Sequence, residues 1–277
     1  MPSRLNFAES LDFQGAVAAG GNPKVFIDGG ATIEELTLNT NLEADEFTLV
    51  IEINNEKRVE ITGTQMLDRE GYDNRSATAD QFVLSFSDPL ARTLQGEIMS
   101  GLVTKPTDRV VISLEIAGAV TPVTPTATLY VETSANRPEE FKLYILPETI
   151  PVTKIGENQF ANFRRGPAPG RYFIKRVFNY GAITHLEVEQ DRKAVFGKRG
   201  LPKAVNDGRL KRNGKTVPTS STCYVYDPNV KQSNTTDLLD TYSVESLRFT
   251  FTTSDSNDIE ALTEYVQDVR PRQQAAA

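Results

Sequence analysis

The stretch VESLRFTFTTSDSNDIEALTEYVQDV, residues 244–269, decides the fold. It opens as a plain alternating strand, passes through a polar knot, and ends in a segment that fits two geometries. Ile259, Leu262 and Val266 lie at helical spacing, while the same residues also suit a strand. A helix there leaves a loose tail; a strand closes a sheet. A second stretch, RVVISLEIAGAVTPVTPTATLYVETS (109–134), has the same plan of strand, polar loop and strand-like segment. With an offset of 133, about half the chain, Leu114 falls on Leu247, Ile116 on Phe249 and Leu129 on Leu262. If this marks a duplication, DIEALTEYV is a strand like TATLYVETS.

Working outward, alternation of period two dominates. KVFID (24–28), TIEELTLNT (32–40), EFTLVIEIN (46–54) and KRVEITG (57–63) read as strands, with NNEK as a hairpin turn. DQFVLSFS (80–87), DRVVISLEIAG (108–118) and TATLYVETS (126–134) continue the series. After the connector TSANRPEE (133–140) come EFKLYILPETIPV (140–152), GRYFIKRVFNYG (170–181), ITHLEVEQD (183–191) and TCYVYD (222–227). Closely spaced strands with Gly, Pro, Asn and Asp turns argue for antiparallel sandwiches or barrels. One segment breaks the pattern: SDPLARTLQGEIMSGL (87–102) has Asp88 as N-cap, Pro89 at the first helical position, and Leu90, Leu94 and Ile98 at spacing four. Gly101 can stop this predicted helix. Residues 192–216 read as mostly irregular, part helical around Lys193–Phe196, and the polar stretches 64–79 and 228–241 as exterior loops.

Composition excludes several function classes. The 277 residues are 39% hydrophobic and 24% charged, so a core can be packed without a membrane, and no apolar run reaches the ~18 residues of a spanning helix. The opening MPSRLNFAESLDFQG lacks the apolar stretch of a secretory signal. A single cysteine, Cys223, rules out an internal disulfide or a cysteine cluster for zinc, and reads as a buried inert thiol. The single histidine, His185, reads as an ordinary strand residue and disfavours a metal-dependent β-barrel enzyme. NGKT (213–216) resembles the end of a P-loop, but Arg209 stands where its first glycine belongs. RRGPAPGR and GRLKRNGK could touch phosphates, yet lack the aromatic platforms of nucleic-acid modules. No catalytic constellation emerges. DREGYD (68–73) and the group Asp255, Asn257, Asp258 and Glu260 gather oxygen ligands that calcium accepts, without the EF-hand spacing.

Charge is uneven. Between Arg164 and Lys215 fourteen Lys or Arg face four Asp or Glu, a local +10 in a chain of net −7. An acidic body with one basic stretch suits contact between copies, or a face turned to an anionic surface. Lys198, Arg199, Lys203, Arg209, Lys211 and Arg212 are the residues expected to make that contact.

The close VPTSSTCYVYD…DLLDTYSVESLRFTFTTSDSNDIEALTEYVQDV, with the helix-bearing first half and LNFAESLDFQGAVAAGGNPKVFIDG at the start, resembles the double jelly-roll major capsid proteins of tailless icosahedral phages with an internal membrane, the corticovirus-like and tectivirus-like lineage. The resemblance implies an all-β chain of two consecutive eight-stranded antiparallel jelly rolls, 1–137 and 138–277, with a helix inserted in the first. It further implies a structural role in the virion capsid, assembled in the host cytoplasm, with no catalytic residues. Three copies would form a pseudo-hexagonal tile of an icosahedral shell around a lipid membrane and double-stranded DNA. The implied partners are neighbouring trimers, penton and minor capsid or membrane proteins, and anionic lipid of the internal membrane, without sequence-specific contact to nucleic acid. The competing reading is a phage or secreted β-sandwich that binds a receptor or carbohydrate. The absence of Trp, the common sugar-stacking residue, counts against it.

Overall fold

The computed structural model describes residues 6–75, 80–87, 100–135, 137–164, 171–218, 222–230, 238–241 and 244–270. Nine strands precede the connector: β1 (Asn6–Asp12), β2 (Lys24–Asp28), β3 (Ala31–Thr40), β4 (Phe47–Ile53), β5 (Glu56–Thr62), β6 (Gln81–Ser85), β7 (Leu102–Val103), β8 (Arg109–Ile116) and β9 (Ala127–Ala135). Nine follow it: β10 (Phe141–Ile150), β11 (Gly156–Phe160), β12 (Arg171–Tyr180), β13 (Ile183–Gln190), β14 (Lys193–Pro202), β15 (Cys223–Tyr226), β16 (Leu239–Asp240), β17 (Leu247–Thr253) and β18 (Ile259–Asp268). Helix α1 (Gly63–Tyr72) follows β5, and helix α2 (Lys203–Arg212) follows β14.

The pairing is the same in both halves. In the first, β1-β9-β3-β6 faces β2-β8-β4-β5; in the second, β10-β18-β12-β15 faces β11-β17-β13-β14. Each set is a jelly roll of eight strands, so the chain is a double jelly roll. Smaller features repeat too. The two-residue strands β7 and β16 lie against β3 and β12, at Ile33 and Ile174. Both β4–β5 and β13–β14 turn through two residues of left-handed backbone, Asn54 and Asn55 (φ 54° and 64°) and Asp191 and Arg192 (φ 49° and 63°). Such turns match the twist of their strands.

β18 answers the question of the closing stretch. It pairs antiparallel with β10 from Phe141↔Asp268 to Ile150↔Ile259, and with β12 on its other side. Ile259, Ala261 and Tyr265 face the second sandwich's own core, whereas Leu262 and Val266 join the core shared with the first half. A strand buried on both faces loses its alternation, which is why its sequence also fitted a helix. The duplication is correct strand for strand, since β8 and β17, and β9 and β18, occupy the same places in their sheets. The phase differs by one residue in the last strand. Leu129 faces its own sandwich core, and Leu262 points out of its sandwich into the joint.

The two jelly rolls are fused. β5 bridges to β10 in parallel, Val59 opposite Ile145, which joins one sheet of each half into a nine-stranded sheet. One apolar cluster runs from Ile33, Leu49 and Leu114 to Phe141, Ile145, Phe178 and Val225. Several expectations need correction. Residues 64–72 of the expected exterior loop 64–79 belong to α1, with Met66 and Tyr72 fully buried. In the stretch 192–216, the structure has β14 and α2 in place of irregular chain with a helix at Lys193–Phe196. β14 is an edge strand with no fully buried residue, so no buried face imposes alternation on its sequence. The predicted helix at 88–101 lies outside the described residues except for Ser100 and Gly101.

Candidate assembly interface

The joint between the jelly rolls is built on α1. Thr62 caps this helix: its hydroxyl accepts from the Gln65 backbone N–H at 3.3 Å, and Gln65 Oε1 accepts from the Thr62 N–H at 3.1 Å. This reciprocal capping box satisfies two otherwise orphaned donors. The helix presents Arg69, Tyr72 and, just past its end, Asp73 to the outer face of β12 and β18. Arg69 Nε donates to Glu264 Oε1 at 2.9 Å, and Arg176 Nη2 reaches the same oxygen at 2.7 Å. Arg176 Nη1 and Lys215 Nζ hold the two oxygens of Asp73 at 3.1 and 2.7 Å. Glu70 takes Arg69 at 2.7 Å and Arg75 at 3.1 Å. The Tyr72 hydroxyl donates to Asp227 Oδ2 at 2.7 Å while its ring packs edge-on against Phe178.

Four cations therefore meet four carboxylates at the seam, and Glu264 is fully buried. Burial would raise the Glu264 pKa, but Arg176 and Arg69 outweigh it and bring it down to about 2. The same contest leaves Asp73 far below the usual carboxylate range, with Arg176 and Lys215 overcoming burial. Asp227 goes the other way, raised by burial that Arg176 and the Tyr72 hydroxyl only partly offset. Arg58 adds a second stitch. It is buried, donates to the Leu143 carbonyl at 3.0 Å, and stands 4.6 Å over the Tyr144 ring. Carboxylates and cations paired in this way hold two units in one geometry.

The predicted contact residues divide into two kinds. Lys198, Arg199, Lys211 and Arg212 are exposed, and no acid lies within ion-pair distance of them among the described residues. Lys198 and Arg199 ride a bulge of β14 flanked by Gly197 and Gly200, both at positive φ. A Cβ at Gly197 would stand 2.3 Å from the Leu186 carbonyl oxygen, so glycine is required there. Lys203 is tied to Asp207 at 2.7 Å, and Arg209 donates to Asn206 and to the Asp227 carbonyl.

The calcium candidates do not converge. Both oxygens of Asp255 accept from Asn257, Asp258 Oδ1 accepts from the Val152 N–H, and Glu260 is the second residue of β18. DREGYD has its Glu70 and Asp73 taken by arginines and lysine. Among the described residues no group of three or more His, Cys, Asp or Glu could hold a metal ion. Cys223 is buried, and burial pushes its thiol up, as an inert thiol requires. His185 sits on β13 with Thr184 as its neighbour. NGKT follows the end of α2, whereas a phosphate loop leads into a helix N-terminus.

The sequence gives little notice of the joint. Arg176 and Glu264 belong to no motif, and Arg69 and Asp73 stand out only within DREGYD, as part of a candidate group of oxygen ligands for calcium. Two signals were available: the T-x-x-Q capping box at Thr62–Gln65, and a carboxylate inside the nearly continuous apolar run of β18.

Comparison with known proteins follows the same two-part division. No curated protein matches the chain. Among solved structures, the major capsid protein P2 from Bacteriophage PM2 superposes with a TM-score of 0.81 at 18% identity, over 96% of this chain and 99% of that one. The STIV MCP gives 0.71 at 11% identity, over 99% and 100%. The PBCV-1 virus capsid gives 0.54 at 10%, over 97% and 94%. At such identities these likenesses establish the fold. The family models carry the rest, and they describe structural coat proteins, not enzymes or glycan-binding modules. Residues 8–136 match the N-terminal domain of viral coat protein P2 and residues 143–269 its C-terminal domain, and the chain belongs to this family of viral capsid proteins.

Proposed function

We propose that three copies of the chain associate into a pseudo-hexagonal tile of six jelly rolls, and that tiles meet edge to edge to build an icosahedral shell. One observation carries this reading. Each chain already contains two sandwiches of the same strand pairing, β1–β9 and β10–β18, locked side by side, so three chains supply six similar units. Closed rotational symmetry is the usual way such units associate. In this reading the shell encloses a lipid membrane and double-stranded DNA, and its tiles also meet penton and minor capsid or membrane proteins. The basic segment with Lys198, Arg199, Lys211 and Arg212 then serves contact between copies.

Light scattering on the purified protein tests the assembly, with three times the chain mass expected. Flotation with vesicles containing anionic lipid tests the other use of the basic segment. Trimers that ignore vesicles support contact between copies. A monomer that binds vesicles through Lys198 and Arg199 would overturn it.

A further inference from the structure

The two jelly rolls correspond residue by residue as well as strand by strand. β-bulges fix which residues correspond: β3 shifts register against β9 between Ile33 and Glu35, and β12 shifts against β18 between Ile174 and Arg176. Setting Glu35 on Arg176 places Glu132 on Glu264, because Glu35 lies opposite Glu132 and Arg176 opposite Glu264. The helices correspond as well. Each runs ten residues directly from the end of its strand, so Gln65, Arg69 and Tyr72 of α1 match Val205, Arg209 and Arg212 of α2.

The two faces differ in what covers them. On the second jelly roll, Arg176 and Glu264 attract each other and Arg69 of α1 closes over them. On the first, Glu35 and Glu132 are like charges directly opposite in a ladder, an arrangement that destabilises a sheet. Both are half-buried, and the Ser85 hydroxyl donates to Glu35 at 2.6 Å. Among the described residues no cation lies within ion-pair distance of either. Burial raises the Glu132 pKa, and the charge of Glu35 adds to it.

The matching face of α2 is open, although α2 ends beside the end of α1, where the Thr216 N–H donates to the Tyr72 carbonyl at 3.1 Å. Gln65, Arg69 and Tyr72 are buried at 7%, 3% and 0% exposure, whereas Val205 is 53% exposed and Arg212 is also exposed. The strands repeat the contrast. β5 and β10 are bridged inside the chain, while their counterparts β14 and β1 are both sheet edges. β14 exposes Lys193, Lys198 and Arg199, and β1 exposes Glu9 and Asp12.

We propose that α2 and β14 of one copy seat on the β1-β9-β3 face of a second copy, with Arg209 and Arg212 closing on Glu35 and Glu132. The contact rests on the tile reading and supplies its missing half. Each copy has one donor and one acceptor surface, so the contact is heterologous and continues until the ring closes. Arg209 keeps guanidinium donors beyond the two it spends on Asn206 and Asp227.

Charge exchange tests the contact. Sedimentation velocity at fixed concentration should show Arg212→Glu and Glu132→Arg each reducing the trimer by about tenfold or more. The two changes combined should restore it. Glu132→Gln adds a readout with two opposite signs: it should raise the melting temperature of the monomer by removing repulsion, yet weaken assembly. A purely structural role for Glu132 would move both in one direction. If wild type forms trimers and Arg212→Glu and Glu132→Gln form them equally well, this contact is wrong and the tile reading stands. A wild type that stays monomeric at every concentration overturns both.

Discussion

Two guanidiniums meet one carboxylate at Glu264, inside the protein and across the boundary between its halves. Removing the charge leaves Arg69 and Arg176 buried without their shared anion, so Glu264→Gln should cost about 3–5 kcal/mol in urea unfolding. The pH dependence has a definite sign. A carboxylate whose folded pKa is depressed stabilises above its unfolded value, near 4.3, and that stability is lost as pH falls toward its folded value. For Glu264 the window runs from roughly pH 4.3 down to about 2 and carries on the order of 3 kcal/mol. Asp73 acts in the same direction, while protonation of Asp227 relieves a burial cost as pH falls. The Glu264→Gln variant should therefore lose less stability than wild type across that window; parallel curves would remove Glu264 from the account. Single residues of this kind were hard to read from the chain. Cys223 and His185 were legible because their surroundings alternate, but the partners of Glu264 lie 88 and 195 positions away.

Elements with one buried face were read nearly to the residue, as KVFID became β2 (Lys24–Asp28) and TATLYVETS became β9 (Ala127–Ala135). Elements without a clean apolar face were not. α2 buries only Asn206 and Leu210, carries Gly208 in its middle, and starts at Pro202 with no side-chain cap. α1 buries Arg69 and Glu70 beside Met66 and Tyr72, so its inward face reads as polar. Its capping box was the legible part, and it is open to test. Thr62→Ala removes the Oγ1 acceptor of the Gln65 N–H and should cost about 1 kcal/mol. The loss should also appear as faster amide exchange at Arg69–Asp73, where the helix meets β12 and β18. Unchanged exchange there would mean that the joint holds α1 without help from its cap.

For the molecule as a whole, the sequence revealed the plan and concealed the fusion. Alternating strands, an offset near half the length and the resemblance of the C-terminal stretch gave two jelly rolls. What they could not give is that the outer face of the second sandwich belongs to the core of the first, because that face depends on contacts between distant strands. Phe141, Ile145, Phe178 and Leu262 pack in one cluster with Leu49, Met66 and Tyr72. This shared core makes the pair one rigid unit. Arg212 stands on α2 where Tyr72 stands on α1, exposed in the single chain. The most direct measurement is electron microscopy of the purified, assembled protein, with class averages viewed along the symmetry axis. Six lobes in a closed ring, alternating in shape around a three-fold axis, are the predicted result; particles of two lobes, or rings with another number, would contradict it.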